Sequence, residues 1–438
     1  MAAIPVIAIF DAGKTNKKVF LFDQQYRVVY DKSTRLPETT DEDGYPCEDV
    51  HALSAWVRNT LTELLTDERY DIRAVNFTSY GASFVHVDEQ LAPVLPLYNY
   101  LKPYPHDIKQ RFFERYGGEI KISRETASPV LDHLNSGLLL YRLKEEKRFP
   151  VQTHFSVHLP QYLSSLVTRQ ALSDITSIGC HTMLWNFEMN SYHEWVANAG
   201  IGKMLPPIFP SDSVLEISTN EKQFFCGIGL HDSSSALIPY LATVEDPFVL
   251  ISTGTWSITM NPFNDTPLLE SELTQDCLCY LTYKGFPVKS SRLFAGHMHE
   301  EGVNKLNAHF LKDPQFFRTL KFDRQLADAV GIEYNVQELQ PSDFPTYESA
   351  YHALVGNIIR QQVKSSNLVL TQEVKRIFVD GGFSSNEIFM RLLARAYPDI
   401  SVFAASVAQA TAMGAALAIH DHWNAEPISD RLVELVPY

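Results

Sequence analysis

The stretch Ala8–Asp23, AIFDAGKTNKKVFLFD, contains Gly13-Lys14-Thr15, the closing letters of a phosphate-binding P-loop. That loop needs a glycine five residues before Gly13 and a helix starting at the Lys-Thr pair, so that helix amides face the phosphates. Ala8 stands at the first position, inside the apolar run Ile4 to Phe10. After Thr15 the chain reads Asn16-Lys17-Lys18-Val19-Phe20-Leu21-Phe22-Asp23, a strand pattern. Gln24-Gln25 then turns, and Tyr26 to Tyr30 starts another strand. Gly13 therefore marks a hairpin turn. A Gly/Thr hairpin with an acid at its mouth can still bind phosphate through its turn amides.

The bulk properties narrow the partners. A chain of 438 residues exceeds what one core usually serves, so two domains are expected. A formal net charge of −15 argues against nucleic acid and anionic membranes and favours a small-molecule partner. No apolar run reaches the ~20 residues of a membrane span, and no secretory leader pattern opens the chain. The five cysteines, Cys47, Cys180, Cys226, Cys277 and Cys279, are odd in number and scattered, as expected for reduced thiols in a cytoplasm. Cys277 and Cys279 share one face of a strand, which reads as packing.

Further along, Cys47 to Leu65 reads as an amphipathic helix with Asp49 as N-cap. Ile72 to Tyr80 and the stretch SFVHVDE read as strands, VQTHFSV as a strand and HLPQYLSSLVTRQ as a helix. Near Gln223 the opening pattern begins to return. FVLISTGTWSITMNP, Phe248 to Pro262, again gives an apolar strand, a Gly/Thr turn and a second strand. Its turn is Ser252-Thr253-Gly254-Thr255, against Asp11 to Thr15 in the first copy. Two such hairpins suggest two similar domains that each lend one turn to a shared cleft. Toward the end, Arg376 to Pro398 reads strand, Gly381-Gly382, helix, a junction at which a ligand can approach the backbone. Gly414 lies among alanines in a helix, a pattern that also suits close helix packing.

The ordered set is Asp-x-Gly-x-Thr on an N-terminal hairpin, a mid-chain Gly-x-x-Asp, a Thr-Gly-Thr hairpin, a Gly-Gly βα turn and a C-terminal Ala-Thr-Ala-x-Gly helix. Over nearly the whole chain it resembles the FGGY carbohydrate kinases of the actin-like ATPase superfamily. SYGASFVHVDEQLAPVLPLYNY and GGFSSN resemble the rhamnulokinase and fuculokinase side of that family. The resemblance implies an α/β fold of two actin-like (ribonuclease H-like) domains around a central cleft, a sugar-binding domain over 1–228 and a nucleotide-binding domain over 229–438. It implies ATP and Mg2+, a sugar substrate such as L-rhamnulose or L-fuculose, and a cytoplasmic enzyme, and it leaves a homodimer open. The alternatives are a nucleotide-binding sugar sensor or pseudokinase, or a xylulose- or glycerol-type kinase.

Carried over by position, the resemblance assigns Asp11, Gly13, Thr15 and Asn16 to the first phosphate turn, with Asp11 near magnesium through water. Thr253, Gly254 and Thr255 would form the second turn. Gly381, Gly382, Ser384 and Asn386 would line the adenine and ribose site with Gly414 beside them. Tyr80, Gly81, Ser83, Asn99 and Tyr100 would lie by the sugar, and Asp232 would be the catalytic base. Phosphoryl transfer asks for positioning and charge neutralisation, and for one carboxylate to take the proton of the attacking hydroxyl. Asp232 precedes Ser233-Ser234-Ser235 at a helix start, so an N-cap role is its plain alternative.

Several residues depart from the family pattern. Lys14 stands where a small residue is usual, either reaching a phosphate or pointing to solvent. Gln409 replaces a usual Glu and Phe383 a usual Gly, and Ala82, Ser83, Asn99 and Tyr100 differ on the sugar side. His86 reads as structural. His231 either orients Asp232 or marks a boundary. His297 and His299 read as a solvated helix start or a sugar-side loop. Gly227 to Leu230, with two glycines, is the expected hinge.

Overall fold

The computed structural model describes residues 3–219, 222–329 and 339–438. Two seven-stranded sheets organise it. In the first, the strand Ile4–Ala12 pairs antiparallel with Lys17–Asp23, which pairs with Val28–Thr34. On its other side Ile4–Ala12 runs parallel to Tyr70–Ser79. The second sheet repeats the plan. Phe248–Thr253 pairs antiparallel with Ser257–Asn261 and parallel with Arg376–Gly381. Ala12 thus corresponds to Thr253 and Ser79 to Gly381, and each hairpin turn lies at the carboxyl end of a parallel pair, where open α/β sheets bind ligands.

The expected helix after Cys47 is Val50–Thr66, and the Asp49 side chain accepts from the His51 and Ala52 amides. Its apolar side covers the first sheet through Leu53, Val57 and Leu61. Much of residues 104–205 packs around a separate core with Phe112, Tyr141 and Trp195 at its centre, while Val157, Leu159 and Tyr162 join the core of the first sheet. Cys277 and Cys279 are buried with Ala127 and Val369, consistent with packing. All five cysteines are free thiols. Among the described residues no helix is long and apolar enough to cross a membrane.

The passage between the sheets differs from the expectation. Leu230 and His231 pair with Thr78 and Ser79, so the first sheet continues past residue 228. The two hinge glycines are needed for close approach instead. A side chain on Gly227 would collide with Asn76, and one on Gly229, at φ +89, with the Pro160 carbonyl. Ser164 Oγ donates to the Gly227 carbonyl at 2.7 Å and Gln161 Nε2 to the Gly229 carbonyl at 2.8 Å. This segment is locked into the first domain.

The helix Asp232–Thr243 makes the crossing and packs on Ala410–Ala418. A proline inside a helix frees the carbonyl four residues earlier, because it has no N–H to give. Here Pro239 frees the carbonyl of Ser235. Gly414 lies directly against that carbonyl, where any Cβ would collide with it, and Ser235 Oγ donates to the Thr411 carbonyl at 2.8 Å. A single buried cluster joins both sheets through these helices, with Ile7, Ile9 and Phe20 from one and Phe248, Leu250 and Phe378 from the other.

Candidate active site

Asp11 and Asp232 meet by topology. Asp11 pairs with Thr78 on one side of the strand Tyr70–Ser79, and Leu230-His231 pairs with Thr78 and Ser79 on the other. Asp232 is the next residue. Two strand spacings separate the backbones by about 10 Å, and both residues are partly exposed. Burial first, and then the charge of Asp232, raise the Asp11 carboxyl to about 6, against Lys18 and Lys17. Burial likewise raises Asp232 to about 6, although Ser233 holds it down. Asp232 Oδ1 accepts from Ser233 N at 2.6 Å and from its Oγ at 3.2 Å, and lies 3.1 Å from His231 Nε2. All of these contacts fall on Oδ1, and among the described residues Oδ2 has no hydrogen-bond partner. His231 is buried, its basicity pushed down to about 3, and its Nε2 also lies 3.0 Å from Cys180 Sγ. It is a neutral wall beside Asp232, packed on Gly81, whose Cβ would strike Cys180.

The first turn is braced from below. Lys17 is buried, donates to the Gly13 carbonyl at 2.7 Å and the Lys14 carbonyl at 3.2 Å, and pairs with Glu48. Glu48 also accepts from the Tyr80 hydroxyl. Thr15 is exposed, while Asn16 Oδ1 accepts from Arg35 Nε at 3.0 Å. Tyr80 and Tyr100, expected beside the sugar, meet edge to face at 5.8 Å, and the Asp232 charge acts on Tyr100. Ser83 is buried with its hydroxyl unpartnered. The Asn99 amide is committed, donating to the Pro46 carbonyl and accepting from Leu101 N, so it shapes a turn.

The second turn and the Gly-Gly junction interlock. Thr253 Oγ1 donates to the Asp380 carbonyl at 2.5 Å and accepts from Phe383 N at 3.0 Å. Gly381, at φ +86, presses on the Thr253 carbonyl where a Cβ would not fit. Thr253 is thus a brace, and Ser252, Gly254 and Thr255 are the exposed members of the turn. Beside them is a cavity of about 510 Å³ whose lining includes Gly254, Gly296, His299, Gly382, Phe383 and Asn386, a size that suits a nucleotide base and ribose. Asn386 caps its helix through Phe389 N, and its Nδ2 donates to Tyr351 Oη at 2.8 Å. His299 lies 2.9 Å from the same hydroxyl and is held neutral by burial, at about 4.

Several expectations change here. Gly414 is not in this lining but at the helix crossing, Gly381 lies against Thr253 and outside the lining, and Ser385 lines the cavity where Ser384 was expected, since Ser384 Oγ turns back to the Gly381 carbonyl. His299 belongs to this cavity and not to a sugar-side loop, although it does lie on a helix, Ala295–Phe310. His297 stacks on Phe294 and lies 3.4 Å from Glu301. Sequence reasoning missed Gly296, whose lack of a side chain admits the Gly254 carbonyl, and also Phe317, Arg318 and Lys321 of the lining. The Ala-Gly pair before His297 was the available signal for Gly296. His86 is structural as expected: it is buried, held neutral, and 2.8 Å from Ser156 Oγ.

The profile of the FGGY family of carbohydrate kinases, N-terminal domain, matches residues 6–238, and that of the carbohydrate kinase FGGY C-terminal domain matches 349–427. No curated protein matches the sequence. Among solved structures, a carbohydrate kinase from Novosphingobium aromaticivorans is 21% identical, with a TM-score of 0.81 over 99% of this chain and 94% of that one. A ligand-bound xylulose kinase from Lactobacillus acidophilus is 15% identical, with a TM-score of 0.79 over 99% and 93%. A gluconate kinase from Lactobacillus acidophilus is 16% identical, with a TM-score of 0.77 over 99% and 93%. Because the first profile alone spans more than half of the residues, and the paired-hairpin fold is that of such kinases, the chain belongs to the FGGY family of carbohydrate kinases.

Proposed function

We propose that the chain transfers the γ-phosphoryl group of ATP to a primary hydroxyl of a ketose or deoxyketose, of the L-rhamnulose or L-fuculose kind, with Asp232 as general base. The observation that carries the chemistry is the convergence of Asp11 and Asp232 on the strand end at Thr78-Ser79, both with raised basicity. With a pKa near 6, Asp232 would be ionised about thirty to one at pH 7.5 and a stronger base than an ordinary carboxylate. Its Oδ2 takes the acceptor proton. The hydroxyl oxygen bonds to the γ-phosphorus as the bond to the β-phosphate breaks, and ADP leaves. Amides and hydroxyls of the turns at Gly13-Thr15 and Gly254-Thr255 hold phosphate oxygens.

The donors present fit magnesium. Burial raises both carboxylates, and the charge of Asp232 raises Asp11 as well; a dication would relieve both, and a pair suits an ion that keeps several waters. Asp11 would hold it through water, and it would neutralise charge on the phosphates. Among the described residues there is no larger acidic or thiol cluster that would cage a metal outright.

The rhamnulose or fuculose assignment rests on the segment Ser79 to Tyr100. The solved relatives carry the names xylulose kinase and gluconate kinase, so the test is ATP turnover with L-rhamnulose, L-fuculose, D-xylulose, D-gluconate and glycerol. A highest kcat/KM on one of the two deoxyketoses is expected. Preference for D-xylulose or glycerol would replace that assignment with the xylulose- or glycerol-type alternative.

A further inference from the structure

Lys14 belongs to the first turn by sequence, but its ammonium leaves the turn for the tyrosines. Nζ lies 5.6 Å from the centre of the Tyr80 ring and 5.7 Å from that of Tyr100. The two rings form a corner, and the charge caps it. The neighbouring lysine is committed below, where Lys17 binds the turn carbonyls and Glu48. Lys14 has no such partner: among the described residues no carboxylate lies within 4.0 Å of it. Glu38 acts on it from farther off, and burial lowers its pKa. A half-buried ammonium with three donors, met mainly by π faces, is left with hydrogen-bonding capacity for a ligand. The corner lies on the side of the base, because Tyr100 senses Asp232. The nucleotide cavity includes neither Lys14 nor either tyrosine in its lining.

We propose that Lys14 is an acceptor-specificity residue, whose ammonium donates to sugar oxygens resting on the Tyr80–Tyr100 corner and favours acceptors that present a carboxylate or closely set hydroxyls there. This rests on the kinase reading above. A sugar's C–H face would lie on the rings while its polar edge meets Nζ. A turn position filled by a small residue elsewhere in the family would here serve the acceptor.

The test compares wild type, Lys14→Met and Lys14→Arg on the same five acceptors, with calorimetric binding of a non-hydrolysable ATP analogue. Losing a hydrogen bond from a charged group raises the acceptor KM by about 10–100-fold in Lys14→Met. Analogue affinity stays within about twofold, and Lys14→Arg recovers part of the acceptor KM. A larger loss on D-gluconate than on the neutral sugars identifies a carboxylate as the group met, and equal losses identify hydroxyls. An unchanged acceptor KM, or a loss confined to analogue affinity, overturns the assignment. If wild type turns over none of the five, the kinase reading is the one in difficulty, and calorimetry of the sugars alone decides for Lys14. Equal sugar binding by wild type and Lys14→Met, or none by either, then counts against it.

Discussion

Replacing Asp232 by Asn keeps the side chain's shape and its acceptor contacts with Ser233, and removes the only atom we assign to take the acceptor proton. A positioned base is worth about 10²–10⁴ in rate, so kcat should fall by about 3–5 kcal/mol of barrier at ~1.4 kcal/mol per decade. Affinity for an ATP analogue should survive, because Asp232 is not among the lining residues of the nucleotide cavity. The pH profile adds a second readout. Asp11 and Asp232 are both raised to about 6, and they interact, so wild-type kcat/KM should fall with acid through pH 6 in two overlapping macroscopic steps. In the variant, Asp11 loses the repulsion of Asp232, and the residual acid limb should move to lower pH.

Stability gives a third readout. Burial raises the folded pKa of Asp232 from 3.8 to about 6, so the native state binds the proton more tightly than the unfolded chain. Ionising Asp232 therefore costs stability as pH rises from 3.8 through 6, and the full cost is present above 6. The side chain is 33% exposed, so after allowance for solvent screening the cost is on the order of 1 kcal/mol. A neutral amide at this position carries no such cost, and the variant should be the more stable protein at pH 7.5, with the gain vanishing below pH 4. Coupled detection of ADP release and urea unfolding at two pH values make the measurements. Turnover within threefold of wild type, or an unmoved acid limb, would remove Asp232 from the chemistry.

Three more outcomes follow from particular contacts. Tyr351→Phe removes the hydroxyl that bridges His299 and Asn386; leaving those groups unpaired should raise the KM for ATP by about 1–3 kcal/mol equivalent with the acceptor KM unchanged, which steady-state kinetics checks. Gly414→Ala places a methyl on the Ser235 carbonyl, so urea unfolding should show a loss of about 1–3 kcal/mol from overpacking. Small-angle scattering with ATP analogue plus sugar should show a small decrease in radius of gyration, small because Cys279 N already bonds the Ala127 carbonyl across the domains at 3.0 Å; an unchanged radius with binding verified favours a pre-formed cleft.

The sequence carried the hairpins because their information is local. The β-formers of Val19 to Phe22 and a glycine at 13 point to a hairpin and not a helix after Thr15, and the observed register of Ala12 on Lys17 agrees. Asp49 capped its helix for the same reason. What failed was long-range. The cavity wall draws on Gly254, Gly296 and Asn386, from segments far apart in sequence, and no local pattern tells His299 that it faces Tyr351. Asn99 looked available for a sugar until Pro46 and Leu101 were seen to occupy its amide. Glycine is the residue most open to misreading, since freedom of φ and absence of a side chain look alike in sequence. Gly227 reads for motion and Gly414 for ligand or close helix packing; the structure has both pressed against neighbours, which for Gly414 is the packing alternative.

That distinction decides which parts of the site can move against each other. Leu230 and His231 are fixed to Thr78 and Ser79, so Asp232 travels with Asp11 and the first turn. Gly254 and the Gly381-Gly382 junction travel with the second sheet. The chain between them is the helix Asp232–Thr243, and its contact with Ala410–Ala418 at Ser235 and Gly414 lies three residues from the base. A rotation of one sheet against the other about this crossing leaves Asp11, Asp232 and the acceptor corner undisturbed and brings the nucleotide's phosphates to them. A pivot at Gly227–Leu230 would instead tear Asp232 from Asp11.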